Sequence, residues 1–102
     1  MKKKEKTFII QGEKIKTLDD FYDEVSRLLG SLTGKGASSR NLNALIDVLR
    51  GGFGAHEFME KITIVWSNFH LSKKFEGKKA VLEILSEAEN VTFITEEFSR
   101  ND

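Results

Sequence analysis

Three stretches of the chain repeat apolar residues at the spacing of an α-helix. They cover residues 18–29, 40–50 and 78–90. Apolar residues at this spacing form one continuous stripe along a helix. The first two stretches are followed directly by glycine, a common helix stop, and the second ends at the pair Gly51-Gly52. The pattern therefore predicts three helices.

Three shorter runs, at residues 7–10, 61–66 and 91–94, are rich in β-branched and aromatic residues and predict strands. The middle run is almost entirely apolar, so we expect it to be the central strand, buried on both faces. Strands that alternate with helices return in parallel through right-handed crossovers. The predicted fold class is therefore α/β, a three-stranded parallel sheet packed with about three to four helices, the fourth being a short helix within residues 68–75.

Local signals mark the boundaries of these elements. Thr17 followed three residues later by Asp20 resembles a capping box at the start of the first helix. The pair Gln11-Gly12 ends the first strand, and we expect Gly12 to provide the positive φ of a turn there. Residues 31–39 and 51–60 show little regular pattern and are predicted to be loops.

Composition narrows the class of protein. The 102 residues suit a single domain, and an apolar content of 39% with eight phenylalanines is enough to form a core. Sixteen basic and sixteen acidic residues cancel, so electrostatic function has to come from local patches. Cysteine is absent, and no apolar run is long enough for a membrane span or a secretion signal. We therefore expect a cytoplasmic protein.

The two ends of the chain are polar. Residues 1–6 include four lysines, and we expect them to form a disordered basic tail. Residues 7–95 are predicted to form the folded domain, and residues 96–102 a polar C-terminal tail.

Residue types that commonly carry enzyme chemistry are sparse. His56 and His70 lie in or beside predicted loops, where a histidine is usually solvated. Residues 56–60 lack the second histidine of a zinc-protease helix. The glycines at residues 30–36 differ in spacing from a phosphate-binding loop and follow a helix instead of a strand. We expect no enzymatic activity, no metal and no cofactor.

Polar residues on two predicted helices are better candidates for function. Asn43, Asp47 and Arg50 are spaced so that they share one side of the second helix, with Asp47 pointing away from the leucine stripe. Glu83 and Glu87 are four residues apart on the third helix, where like charges destabilise by about 0.2–0.5 kcal/mol. A solvated helix face explains most residues of this kind. Periodicity alone does not separate such a face from a binding surface.

A resemblance to a known family helps to decide between a solvated helix face and a binding surface. The segment Arg40-Asn-Leu-Asn-Ala-Leu-Ile-Asp47 resembles the Gly-x-Asn-Leu-Asp-Ala-Leu-x-Asp motif of the barstar family, small intracellular inhibitors of ribonucleases. Similar residues follow in the same order at Ile9 to Glu13, the Ile-x-Val-Trp strand ending at Trp66, Ser72-Lys73 and Glu87-Ala88. The resemblance covers residues 7–94. It implies a three-stranded parallel sheet with helices, one of which blocks a ribonuclease active site by placing carboxylates where RNA phosphates would lie.

The resemblance also implies roles for particular residues. By position, Asp47 is similar to the acidic residue at the centre of the inhibitory surface, and Glu87 to the acidic residue that the last helix supplies. The chain differs from the family at Asn43, where an aspartate is common, and at Ile46, where an aromatic residue is common. Because Ile46 adjoins the leucine stripe, we expect it to be partly buried.

The loop before the second helix differs as well. Ala37-Ser38 replace an aromatic pair, and Ser39 replaces a glycine. Arg40 and Arg50 add positive charge to the same face, which weakens the match to a basic ribonuclease cleft.

Three hypotheses for function follow. The first is an immunity-type inhibitor that blocks a partner ribonuclease and is monomeric when free, without a membrane or direct nucleic-acid contact. Its partner-binding residues would be Ser39, Arg40, Asn43, Ile46, Asp47 and Glu87. The second is a barstar-like interaction or regulatory domain whose partner is not a nuclease. The third is RNA or DNA binding through the lysine-rich start and Lys73, Lys74, Lys78 and Lys79, which requires these groups to converge.

Overall fold

The computed structural model describes residues 5–29, 42–51, 55–72 and 74–97. In chain order the elements are strand β1 (Lys6–Gln11), helix α1 (Leu18–Leu29), helix α2 (Leu42–Arg50), strand β2 (Ile62–Ser67), helix α3 (Lys78–Glu87) and strand β3 (Val91–Thr95). The predicted three helices and three strands are confirmed, but α3 ends three residues before the predicted position 90 because Ala88 has an extended backbone. Single 3₁₀ turns follow β1 at Gly12–Lys14 and β2 at Phe69–Leu71. Among the described residues of the short helix predicted within 68–75, only the second of these turns is helical.

The strands form one parallel sheet in the order β1-β2-β3. Ile10 of β1 lies opposite Trp66 of β2, and Trp66 lies opposite Thr95 of β3. The central position predicted for β2 is therefore confirmed, as is the α/β class with a three-stranded parallel sheet.

The sheet is buried on one face only. Ile10, Ile64 and Trp66 lie in a core that also contains the buried apolar residues of α1, α2 and α3. On the other face, Ile9 and Ile94 are 51% and 40% exposed. The prediction that β2 is buried on both faces is wrong, because its residues alternate between buried and half-buried. All three described helices pack against the same side.

Trp66 is fully buried at the centre of this core. Its ring stacks on that of Phe21 with 5.4 Å between centroids and meets the ring of Phe69 edge-on at 5.3 Å. The indole Nε1 donates a hydrogen bond of 2.8 Å to Ser72 Oγ, which in turn donates one of 2.9 Å to the carbonyl of Gly12. The side chain thus ties the end of β2 to the turn after β1.

Gly12 is required for a different reason from the one predicted. Positive φ occurs among the described glycines at Gly51 and Gly77, and Gly12 does not share it. A Cβ atom at Gly12 would lie 2.2 Å from the carbonyl oxygen of Ser67 and 2.7 Å from that of Asn68. Only a residue without a side chain allows the two strand ends to approach this closely.

The predicted cap of α1 is confirmed. The backbone N–H of Asp20 donates to Thr17 Oγ1 over 3.0 Å, and the backbone N–H of Thr17 donates to Asp20 Oδ2 over 3.1 Å. These reciprocal bonds satisfy two donors at the helix start. The buried residues of α1 are Phe21, Tyr22, Glu24, Val25 and Leu29.

Glu24 is a buried carboxylate that links α1 to β1. Its Oε2 accepts a hydrogen bond of 2.8 Å from the backbone N–H of Gln11 and one of 2.7 Å from Arg27. Burial raises the pKa of Glu24, but the hydrogen bonds from Arg27 and Gln11 and the charge of Arg27 lower it by more. The pKa of this carboxyl is therefore below its usual value.

We expect Glu24→Gln to reduce the free energy of unfolding by about 1 to 2 kcal/mol at neutral pH, because charge-assisted bonds become neutral ones. A depressed pKa stabilises the fold above the unfolded-state pKa, about 4.3, and this stabilisation is lost as pH falls through the folded-state value. Urea denaturation at several pH values measures the free energy of unfolding of the native chain and of Glu24→Gln. The difference between native chain and variant should shrink below pH 4, whereas a difference independent of pH would contradict it. Glu83→Gln, at an exposed glutamate of α3, is the control.

The ends of the predicted domain are only partly described. β1 begins at Lys6, one position inside the predicted basic tail. Residues 1–4 and 98–102 lie outside the described residues, so the two tails stay predictions. No helix among the described residues combines the length and apolar character needed to cross a membrane.

Candidate functional site

The outer side of α2 carries the residues predicted from its periodicity. Asn43, Asp47 and Arg50 are all exposed, whereas Leu45 and Leu49 are buried. The outward orientation of Asp47 is confirmed. Ile46 is half-buried, as expected from its position beside the leucine stripe.

The end of α2 is held by a set of hydrogen bonds to its last carbonyl groups. The N–H of Gly51 donates to Asp47 and Val48, at 3.2 Å and 3.1 Å, and the N–H of Met59 donates to Arg50. The carbonyl of Leu49 lies 2.9 Å from His56 Nε2 and 2.8 Å from Asn90 Nδ2. A helix end leaves its last four carbonyls without intrahelical partners. Here all four are satisfied, so the side chains at this end are presented on a fixed backbone.

His56 is one of the residues that fix this end, and its predicted solvated position is wrong. It is 3% exposed, and its ring lies 6.0 Å from that of Phe8. Since a carbonyl oxygen only accepts, the contact with Leu49 requires the hydrogen to be on Nε2. His56 therefore acts as a structural donor. The described residues bring together no group of three or more potential metal ligands.

Asn90 is a second structural residue that the sequence did not indicate. It is 6% exposed, and its Nδ2 also donates to the carbonyl of Glu60 over 3.0 Å. Asn90 directly precedes β3, and its side-chain amide thus connects this point to the end of α2 and to the segment before β2. The contact with Leu49 spans 41 positions in sequence, so no local pattern predicts it.

A pocket of about 340 Å³ separates the ends of α2 and α3. Ile46 and Leu49 line it from α2, Ile84 and Glu87 line it from α3, and Met59 lines it from the intervening loop. The fold therefore brings together Ile46 and Glu87, two predicted site residues from separate helices. Its lining combines these apolar side chains with the charged residues Arg50, Glu87 and Glu89.

The carboxylates of this region have no cationic partner among the described residues. Asp47, Glu83 and Glu87 take part in neither of the two ion pairs found there, Lys6–Glu60 and Glu24–Arg27. Glu87 is the last residue of α3, and Asp47 lies in the last turn of α2. The C-terminal end of a helix carries partial negative charge, so a carboxylate there is disfavoured by about 0.3–1 kcal/mol. Their positions are unfavourable for helix stability and favourable for binding a cationic surface.

Comparison with protein families adds an independent observation. Residues 5–99 match the model of the family described as Barstar (barnase inhibitor). This chain belongs to the barstar family. No curated protein matches it. The resemblance predicted from the motif is thereby confirmed over nearly the whole chain. The family's description names an inhibitor and not an enzyme.

Two of the positions expected to differ from the barstar motif, Asn43 and Ile46, lie on α2. Asn43 is exposed one turn before Asp47, and Ile46 lines the pocket. Arg50 also lines the pocket, so positive charge is present among carboxylates. Ser39 and Arg40 lie outside the described residues, and their assignment to the site stays a prediction.

Of the lysines in the nucleic-acid hypothesis, Lys78 and Lys79 begin α3 and Lys74 precedes it, whereas Glu87 is the last residue of that helix. Lys78 Nζ lies 4.7 Å from the centroid of the Phe69 ring. Burial lowers the pKa of Lys78, and the charge of Lys74 lowers it further. Lys73 lies outside the described residues, so the convergence of all four lysines stays untested.

Proposed function

We propose that this member of the barstar family is an intracellular, immunity-type inhibitor that binds and blocks the active site of a partner ribonuclease. The observation that carries the proposal is the pair Asp47 and Glu87. Both are exposed carboxylates without an ion pair among the described residues, and they lie in the last turns of two helices that line one pocket.

Electrostatic complementarity supports this function. A ribonuclease that binds the phosphates of RNA needs a basic cleft, and such a cleft attracts a rigid acidic surface of matching shape. The satisfied carbonyls at the end of α2 hold Asp47 on a fixed backbone, so little conformational entropy is lost on binding. Nothing in this interaction requires catalysis or a cofactor, and we expect a cytoplasmic monomer when the partner is absent.

A second candidate function rests on two residues of the outer side of α2, Arg50 and Asn43. Arg50 is exposed next to Asp47, and Asn43 stands where the family commonly has an aspartate. Both changes reduce attraction to a strongly basic cleft. A barstar-like interaction or regulatory domain with a partner other than a nuclease would retain the fold and use this altered surface.

We expect Asp47→Ala to weaken binding of the partner ribonuclease by about 2 kcal/mol or more, the general threshold for a binding hot spot, which is roughly thirtyfold in Kd. Thermal stability should be unchanged or slightly higher, because the substitution removes a carboxylate from a helix C-terminal turn. The control is Glu76→Ala, an exposed glutamate near the opposite end of α3.

Affinity capture from the source lysate, with the native chain and both variants as baits, provides the measurement. The protein retained by the native chain is identified by mass and assayed for RNA cleavage, with barnase assayed in parallel. A ribonuclease that is inhibited one-to-one by the native chain and released by Asp47→Ala supports the proposal. Retention of a protein without nuclease activity moves the function to the second candidate. Equal retention by native chain and Asp47→Ala contradicts the assignment of the site.

A further inference from the structure

The turn at residues 57–60 exposes two large apolar side chains beside the candidate site. Phe58 is 68% exposed, the highest value for any large apolar residue that the structure describes, and the adjacent Met59 is 37% exposed. Isolated apolar residues on a surface are common and carry no meaning by themselves. Two neighbouring ones in a structured turn call for an explanation.

This turn is held in place by hydrogen bonds, so the exposure does not result from a loose chain. The N–H of Glu57 donates to Glu60 Oε1 over 2.8 Å, and the N–H of Glu60 donates to the carbonyl of Glu57 over 3.0 Å. Glu60 also pairs with Lys6 at 3.5 Å, and the N–H of Met59 donates to Arg50. The turn is therefore tied both to the edge of the sheet and to the end of α2.

Met59 occupies a backbone conformation that disfavours it. Its φ is +61°, in the left-handed region that glycine and asparagine adopt most easily. Strained residues of this kind persist where surrounding structure determines them, and they are concentrated at binding sites. A glycine would relieve the strain but would remove the side chain.

Met59 also makes the turn continuous with the candidate site. It lines the pocket together with Ile46 of α2 and Glu87 of α3. Aromatic residues and methionine are enriched in protein interfaces, and methionine adapts its shape to a partner surface. An exposed phenylalanine beside an acidic, partly apolar pocket fits the arrangement of an apolar anchor bordered by charges.

We infer that Phe58 and Met59 form an apolar anchor of the partner interface, and that the partner ribonuclease carries an apolar recess beside its basic cleft. This inference rests on the proposed function and adds a second chemical requirement to it. Carboxylates of Asp47 and Glu87 select for the basic cleft, and the turn at residues 57–60 selects among ribonucleases by the surface next to that cleft.

The test uses two substitutions in the full chain and one matched control. Phe58→Ser is expected to raise the Kd for the captured ribonuclease at least tenfold without changing thermal stability. Met59→Gly is expected to raise the melting temperature, because it relieves the positive φ, and to raise the Kd severalfold. The control is Leu71→Ser, at an apolar residue that is 50% exposed in the 3₁₀ turn after β2, and it should change neither quantity.

Calorimetry with the ribonuclease identified by capture, measured beside Asp47→Ala, separates the outcomes. If Asp47→Ala weakens binding and Phe58→Ser does not, the anchor is absent and the inhibitor function survives. If Phe58→Ser abolishes self-association seen by ultracentrifugation and leaves ribonuclease affinity unchanged, the turn is a contact between two copies and the inference is overturned. If the native chain binds no ribonuclease, both the proposed inhibitor function and the inferred apolar anchor are overturned. Loss of affinity in both turn variants, with an unaffected control, establishes the anchor.

Discussion

Trp66→Ala is expected to lower the free energy of unfolding by about 3 to 5 kcal/mol, the usual range when a buried aromatic residue is truncated. The side chain has no exposed surface and packs on Phe21, Phe69 and Phe93. Its removal leaves a cavity at the centre of the core and deprives Ser72 Oγ of a donor. A domain of this length is stabilised by only about 5–15 kcal/mol in total. The variant should therefore be close to unfolding at 37 °C.

Trp66→Phe provides the graded comparison for this prediction. It keeps an aromatic ring but loses the indole N–H and part of the volume, so the loss should be clearly smaller than that for alanine. Because the chain contains one tryptophan, far-UV circular dichroism must replace tryptophan fluorescence as the unfolding signal. Equal losses in the two variants would show that the hydrogen bond, and not the packing, dominates.

Gly51→Ala is expected to reduce the free energy of unfolding by about 2 to 4 kcal/mol, as strain in the left-handed region and steric overlap add together. Gly51 has a φ of +99°. A Cβ atom there would lie 2.4 Å from the carbonyl oxygen of Glu57 and 2.8 Å from the ring of His56. The overlap would displace His56 from the carbonyl of Leu49 and loosen the end of α2.

Gly77→Ala separates the two causes. Gly77 also has positive φ, +94°, but a Cβ atom there would lie no closer than 3.4 Å to Leu18, which is ordinary contact. The difference between the two alanine variants in urea denaturation therefore measures the overlap at Gly51. Gly51→Ala should also weaken partner binding, since Asp47 lies in the helical turn that loosens. Equal losses of stability at both glycines would contradict the overlap.

The positions of the helices and strands were predictable because each has a local cause. An apolar stripe at helical spacing determines which side of α2 is buried, and this alone placed Asp47 outside and Ile46 at the boundary. The Thr17–Asp20 cap is equally local, since both partners lie within one helical turn. For the candidate site, sequence reasoning indicated Asp47, Ile46 and Glu87. The structure adds that Ile46 and Glu87 share one pocket.

The features that escaped prediction depend on contacts between distant segments. The hydrogen bond from Asn90 to Leu49 and the approach of Gly12 to Ser67 arise from how loops return to the sheet. The burial of His56 and the exposure of Phe58 have the same origin, because neither residue lies in a periodic element.

By itself, then, the sequence determined the helical and strand segments, their order and the outward side of α2, because each follows from the distribution of apolar residues along a short stretch of chain. Only the tertiary structure decided that one face of the sheet is more exposed than the other, that His56 and Asn90 hold the end of α2, and that Met59 lines the pocket with Ile46 and Glu87. These outcomes depend on contacts between backbone groups and side chains that are distant in sequence, and local periodicity contains no information about such contacts.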